Sequence, residues 1–264
     1  VQLISSRRHP LVTQFRHAAR TTGQLDSSVL LEGPRLVADA LDADVSLTLA
    51  AVTKSSAVAR RTKSVVDRLL TRTRVIQVTP SVMNILSPAA TPSGLVALGN
   101  YKRTDVQTIF DHARPFVVAL NDVQDPGNVG AVIRSAEAGG ATGVITVGGA
   151  NPFGWKALRG SMGSAFRLPV ISQLTAEAVS HEAQTRGWRV IAATPRGGTN
   201  PADLDLTTPC LVWLGTEGEG LSKIRVHSAD DILSVPMTPP VESLNIAVTA
   251  AVIIYEAARQ RRVG

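Results

Sequence analysis

Three segments in the second half of this 264-residue chain hold the side chains and backbone types that chemistry draws on. The first runs Asp125-Pro126-Gly127-Asn128-Val129-Gly130-Ala131-Val132-Ile133-Arg134-Ser135-Ala136. It reads as a turn leading into a helix, with Asn128 near the helix start, where its side chain suits an N-cap. Arg134 is the one charge between Val129 and Ala136. Its planar guanidinium keeps its charge and presents five donors, so among small and apolar neighbours it serves an interface, an ion pair or an anionic ligand. The plainer alternative is a solvated surface charge.

The second segment, Leu211-Val212-Trp213-Leu214-Gly215-Thr216-Glu217-Gly218-Glu219-Gly220-Leu221, is an apolar run that opens into a loop with three glycines. Glycine lets backbone approach a ligand closely, yet a tight turn at a sheet edge explains the same residues. The glycine order is not that of a dinucleotide fingerprint, and the Gly-Lys-Ser/Thr of a phosphate-binding loop is missing. The third segment, Val235-Pro236-Met237-Thr238-Pro239-Pro240-Val241-Glu242-Ser243-Leu244-Asn245-Ile246-Ala247-Val248, ends a strand in a proline-stiffened loop and opens an apolar helix. Ser243 is its natural N-cap. Asn245, in the first turn, needs hydrogen-bond partners from a neighbouring loop or a ligand. A fourth stretch, residues 151–164, carries Lys156 and Arg159 among small residues; phosphate contacts and the packing of a short helix explain it equally well.

Several classes are set aside by composition. Cys210 is the single cysteine, so no intrachain disulfide forms and a reducing, cytoplasmic setting is expected. Its neighbours Leu211-Val212-Trp213-Leu214 make it a buried structural thiol. The five histidines are scattered without metal-ligand spacing, so no metal is expected. Arg7-Arg8 is not followed by an apolar run of signal-peptide type. The apolar stretch 246–255 is too short to span a bilayer, so no membrane partner is expected.

Charge is unevenly placed. Residues 1–103 hold 14 Lys+Arg against 6 Asp+Glu, whereas residues 104–264 hold 13 against 15. A basic half joined to a near-neutral half fits one part that grips a polyanion and another that does something else. Arg7-Arg8, Arg60-Arg61-Lys63 and Arg68, Arg72 and Arg74 supply phosphate contacts without sequence readout. Phe15 and Tyr101 are the only aromatics in that half, so a stacking platform for single strands is not expected.

The elements that must position these residues alternate between β-rich runs and helical patterns, which predicts an α/β protein. In the first half, a basic amphipathic segment over 10–20 precedes strands at 29–31, 47–52, 74–78 and 94–98. Helices are predicted over 34–41 and 57–70, with a short one from Ser81. A polar stretch from Asn100 to Gln107 introduces a linker, placed at 104–114 between domains 1–103 and 115–264. The second half predicts strands at 116–120, 143–147, 167–171, 188–193, 211–214 and 232–235, and helices at 129–138, 176–186 and 244–261.

In order and spacing the three segments resemble the SpoU/TrmH family of RNA ribose methyltransferases in the SPOUT superfamily. Asp125–Ala136 matches its D-P-x-N-x-G-x-x-x-R-[ST]-A, Leu214–Leu221 its L-G-x-E-x-x-G-L, and Pro236–Val248 its P-M…S-L-N followed by an apolar helix. Leu31-Glu32-Gly33-Pro34-Arg35-Leu36-Val37 and Ser93-Gly94-Leu95-Val96-Ala97 resemble the L30e-like substrate-binding domain often attached to it.

The resemblance implies a parallel sheet whose C-terminal segment threads a deep trefoil knot, with a smaller N-terminal L30e-like α/β domain. It implies S-adenosylmethionine as cofactor, held by Thr194, Gly215, Glu217, Gly220, Val235, Met237, Ser243 and Leu244, and a homodimer acting on structured RNA. The catalytic residues it implies are Arg134, Asn128, Glu217, Ser243 and Asn245, with Arg134 reaching the partner's site. Proline at 239, where many family members have glycine, implies a different local path for that loop. The expected reaction is methylation of a ribose 2′-hydroxyl, in 23S ribosomal RNA first and transfer RNA second. A silent RNA-binding relative and a Rossmann-type nucleotide enzyme are the rivals.

Overall fold

The computed structural model describes residues 1–21, 28–216 and 218–263. They form two compact units, Val1–Arg103 with Phe153–Phe166, and Thr104–Pro152 with Arg167–Gly264. The segment 153–166 lies inside the contiguous second division expected from the sequence, but it packs with the first unit.

The first unit contains β1 (Gln2–Ile4), α1 (Pro10–Thr21), β2 (Ser28–Glu32), α2 (Pro34–Asp42), β3 (Ser46–Thr53), α3 (Lys54–Val58), α4 (Arg60–Arg72), β4 (Arg74–Val78), α5 (Pro80–Leu86) and β5 (Leu95–Asn100). The sheet order is β1-β4-β3-β5-β2. β1, β4 and β3 run parallel, and β5 is antiparallel to both β3 and β2. Val12 and Phe15 of α1 and Val82 and Met83 of α5 pack on Leu30, Leu49 and Ile76. The alternate strand residues Val29, Leu31, Ala50 and Ala97 are fully buried as well, so both sheet faces are covered.

Helix 57–70 is two helices. Backbone at Ala59 is extended (φ −67°, ψ 134°), and Thr53 caps the short α3 by accepting from Ser56 N–H. The two pieces carrying the L30e-like resemblance are partners in space: Glu32 pairs with Val96 across β2 and β5. A buried carboxylate is costly unless hydrogen-bonded. Glu32 Oε1 accordingly accepts from Ser93 N–H at 2.9 Å and Ser87 Oγ at 3.3 Å, fixing the loop between α5 and β5.

After β5 the chain continues through α6 (Val106–Phe110), β6 (Phe116–Asn121), α7 (Pro126–Ala138), β7 (Gly143–Val147), α8 (Trp155–Ser161), β8 (Val170–Ser172), α9 (Ala176–Thr185), β9 (Arg189–Ala193), β10 (Cys210–Leu214), α10 (Lys223–His227), β11 (Asp231–Leu233) and α11 (Ile246–Val263). All but α8 belong to the second unit. Its six strands are parallel in the order β11-β9-β10-β6-β7-β8. β10 is an unbroken apolar run and β6 is apolar from Phe116 to Leu120, as strands covered on both faces must be. Val117, Ala119, Ile145, Val190 and Trp213 form one packed cluster with Val179 and Ala183 of α9.

The expected linker contains α6, capped by Asp105, and buries Ile109 and Phe110 in that cluster. The strand expected from Arg167 starts only at Val170, since Pro169 has no N–H to give a ladder. α7 and α11 pack side by side. A Cβ at Gly139 would lie 2.2 Å from Ile254 Cγ2, so the close of α7 has room only for glycine.

The far end of α11 is anchored by Arg261, whose guanidinium donates to the carbonyls of Leu206 (2.6 Å), Thr208 (2.7 Å), Arg114 and Pro115 (both 3.0 Å). Burial lowers its pKa from the ordinary arginine value. Among the described residues no helix is long and apolar enough to cross a membrane.

Cys210 is fully buried at the start of β10, and burial pushes its thiol up to about 11. The folded protein should therefore resist iodoacetamide at pH 8 and react only after unfolding, because the thiolate is the nucleophile. Because the unfolded thiol ionises first, its contribution to stability is lost as pH rises from about 9 toward about 11. Rapid labelling of the native protein, followed by mass spectrometry, would contradict this.

Candidate active site

The first segment leaves β6 through a loop braced against the one after β7: Asp122 N–H donates to Val147 O (2.7 Å) and Ala150 N–H to Val123 O (2.8 Å). Asp125, not Asn128, is the N-cap of α7. Its Oδ1 accepts from Asn128 N–H at 3.0 Å, and Pro126 occupies the first turn, where a missing N–H costs nothing. Asn128 thus sits inside the first turn, and its side-chain Oδ1 accepts from Asn245 Nδ2 at 3.1 Å.

The third segment ends in a cap of its own. Asn245 Oδ1 accepts from Ala247 N–H (2.9 Å) and Val248 N–H (3.3 Å), so Asn245 caps α11 and Ser243, expected in that role, lies two residues upstream. The helix starts at Ile246 because Asn245 O already accepts from Thr249 N–H at 2.9 Å, its first intrahelical bond. The Pro239–Pro240 peptide is cis, and Val241 N–H closes the turn onto Thr238 O at 3.2 Å.

Between these loops, beyond the carboxyl ends of β9, β10 and β11, lies a cavity of about 390 Å³. Carboxyl ends of parallel strands are where open α/β sheets receive ligands. Thr194, Gly215, Gly220, Val235, Met237, Ser243 and Leu244 all line it, together with Asn245. Glu217 lies outside the described residues. Sequence reasoning missed Thr216, Ile246 and Thr249, which also line the cavity. It missed Ser234 too: its buried hydroxyl pairs with Thr194 Oγ1 (3.2 Å) and accepts from Gly198 N–H (2.9 Å), holding the loop after β9 in place. The described lining carries hydroxyls, an amide and backbone, with no Lys, Arg or carboxylate.

The glycine loop folds back on itself. Thr216 N–H donates to Gly220 O (3.2 Å) and Gly220 N–H to Thr216 O (3.1 Å). A Cβ on Gly215 would lie 2.2 Å from Gly220 C and 2.4 Å from Leu221 N, so the loop closes only with glycine there. Both ends of the loop are held by one guanidinium. Arg225, on α10 after the loop, stands over the Trp213 ring at 4.8 Å and donates to Ala176 O (3.3 Å) and Ser180 Oγ (3.4 Å). Trp213, immediately before the loop, donates from Nε1 to the same Ser180 Oγ at 3.2 Å. No residue type in the sequence marked Arg225 for this, because its partners lie on β10 and α9.

Arg134 is placed differently. It is exposed on α7, does not line the cavity, and its guanidinium meets no hydrogen-bond or ion-pair partner among the described residues. On α11 the apolar side chains Val248, Val252 and Tyr255 are 48%, 41% and 53% exposed, with Leu244 at 38% beside the cavity. Spacings of three and four put them on one helix face.

Residues 115–255 match the SpoU rRNA Methylase family, and residues 20–97 match the MRM3-like substrate binding domain. An uncharacterised tRNA/rRNA methyltransferase of Synechocystis sp. is 31% identical over 98% of this chain and 94% of its own. Among solved structures, the SpoU methyltransferase AviRb from Streptomyces viridochromogenes, in complex with AdoMet, has a TM-score of 0.86 at 27% identity, covering 97% of this chain and 100% of that one. An RNA 2′-O ribose methyltransferase has a TM-score of 0.84 at 27% identity, covering 99% and 100%.

Gly215→Ala tests the cavity directly. Overpacking of this kind costs about 1–3 kcal/mol, so calorimetry should show ligand affinity at the cavity reduced about tenfold or more, with circular dichroism unchanged. Unaltered affinity would show that the loop does not need its close approach. A family model matching more than half of its length, and a relative matching nearly all of it, fix the lineage: this chain belongs to the SpoU rRNA methylase family.

Proposed function

We propose that the chain transfers a methyl group from S-adenosylmethionine to a ribose 2′-hydroxyl of structured RNA. The observation that carries this reading is the meeting of segments far apart in the chain around one cavity: Asn128 bonded to Asn245, and the glycine loop facing Ser243 and Leu244. Support comes also from the relatives, one described as bound to AdoMet and another as an RNA 2′-O ribose methyltransferase. The convergence of these loops on one cavity is consistent with the knotted threading that the family resemblance implies.

The residues present fit the cofactor. The cavity falls within the range of about 300–1,000 Å³ usual for small-molecule sites, and its uncharged donors suit a ligand without phosphates. Thr194, Gly215, Gly220, Val235, Met237, Ser243 and Leu244 would hold it, with Glu217 proposed as a further contact. The bound cofactor supplies an already activated methyl, so the protein's task falls on the hydroxyl. A ribose hydroxyl is a poor nucleophile until its proton leaves, and it must be aligned behind the methyl carbon.

Arg134 is the group assigned to that oxygen. A guanidinium is a poor proton acceptor with five donors and no acceptor, so its role is to stabilise the emerging alkoxide and to orient the adjacent phosphate. Asn128, held by Asn245, sits on the same helix and positions the ribose. Because Arg134 does not line the cavity of its own chain, and α11 leaves an apolar stripe uncovered, we place it in the site of a second copy within a homodimer. The setting is cytoplasmic. Ribosomal RNA, 23S in particular, is the favoured substrate, in line with the family's name; transfer RNA is the alternative.

Labelled methyl transfer to total RNA from a strain lacking the protein should mark a ribose 2′-oxygen in 23S RNA. Label on a base, or none, would overturn the reading. Arg134→Lys keeps the charge but loses the planar fork, so turnover should fall roughly 100- to 1,000-fold while cofactor affinity stays within a factor of two. At a cofactor concentration too low to fill the Gly215→Ala cavity, mixing Arg134→Ala and Gly215→Ala subunits should restore part of the activity that each lacks alone. That outcome requires an intact cavity from one chain and the arginine from the other, and failure of subunits shown to exchange would place Arg134 in its own chain's site.

A further inference from the structure

We infer that residues 153–166, although they fall inside the stretch matching the methylase family, belong to the RNA-gripping surface of the first unit, with Lys156 and Arg159 as phosphate contacts. The inference rests on RNA as substrate, but not on which atom of it is methylated.

The segment is built into the first unit by its apolar side chains. Phe153 stacks on Tyr101 with ring centroids 3.9 Å apart and planes 17° from parallel. Trp155 packs against the cluster of Val12, Phe15 and Val82. Ala157, Leu158 and Ser161 of α8 are buried. One side of this helix is thereby committed to the unit that precedes it by some fifty residues in sequence.

The other side carries charge. Lys156 and Arg159 are exposed, and neither forms an ion pair among the described residues. Three positions apart on a helix, they share a face. Arg167, one residue past the segment, shows what a structural arginine here looks like: its Nε and Nη2 meet Glu137 at 2.6 and 2.8 Å. With the segment included, the first unit holds 16 Lys+Arg against 6 Asp+Glu, and the second holds 11 against 15. The segment thus adds two cations and no acid to the basic unit, sharpening a separation of charge that a polyanion would read. Its basic residues are also fixed on a packed helix, where they cost less entropy on binding than the same residues on a loop.

The test uses the full chain, total ribosomal RNA as probe, and a salt titration of binding without methyl transfer. Each lost phosphate contact lowers the slope of log K against log salt by about one. Lys156→Ala/Arg159→Ala should weaken RNA binding about tenfold at low salt and flatten the slope by one to two, leaving S-adenosylmethionine affinity unchanged. Lys156→Arg/Arg159→Lys should restore both, which separates charge from packing. Unchanged affinity and slope in the alanine variant would overturn the inference. So would a loss that the charge-preserving variant does not repair. Because methylation is not the readout, failure of the 2′-hydroxyl reading would leave this result standing.

Discussion

The side-chain amide of Asn245 divides its two ends between two helices. Its oxygen caps α11 by accepting from Ala247 and Val248, while its nitrogen donates to Asn128 on α7, 117 residues earlier in the chain. A cap of this kind contributes about 1 kcal/mol, a modest figure for what depends on it. α7 carries Arg134, α11 carries the wall of the cavity, and the two pack closely enough that Gly139 has no room for a side chain. Arg261 and Gln260 secure the opposite end of α11 to the segment before β10. With both ends fixed, the register between the arginine-bearing helix and the cavity is set by bonds rather than by loop length.

The cavity itself follows from the sheet. Six parallel strands end on one edge, and the loops leaving β9, β10 and β11 must turn there. The turns are held by neighbours: Ser234 braces Thr194, and Arg225 grips both sides of the glycine loop. Arg225 is thus used beside the cavity rather than in its described lining, whose residues are uncharged.

How much of this was legible in the sequence depended on range. The strands at 74–78 and 143–147 were read to the residue because each is a short stretch rich in β-branched residues, Val75, Ile76 and Val78 in one and Val144, Ile145, Thr146 and Val147 in the other. β1 escaped because three residues, two of them exposed, carry no periodicity. α6 escaped because five residues cannot display a helical stripe, and only Ile109 and Phe110 betray it through burial. The caps shifted for a local reason. Asp125 and Asn128 are both competent, and Pro126 at the first turn decides in favour of Asp125. Ser243 and Asn245 are both competent too, and there the bond to Asn128 favours Asn245, a partner no local window contains. The lining residues were reachable through family resemblance alone, because loops separated by twenty to fifty residues converge only once the sheet has formed.

The placement of α8 bears on how the protein is made. The first unit closes its α1 face with Trp155 and seats Phe153 on Tyr101, residues that leave the ribosome only after β6, α7 and β7 have been synthesised. Until then the nascent N-terminal part carries an apolar surface with its covering helix still untranslated. Completion of the first unit is in this way tied to synthesis of the second, and a chain arrested near residue 103 would lack the side chains of Phe153 and Trp155 that cover it.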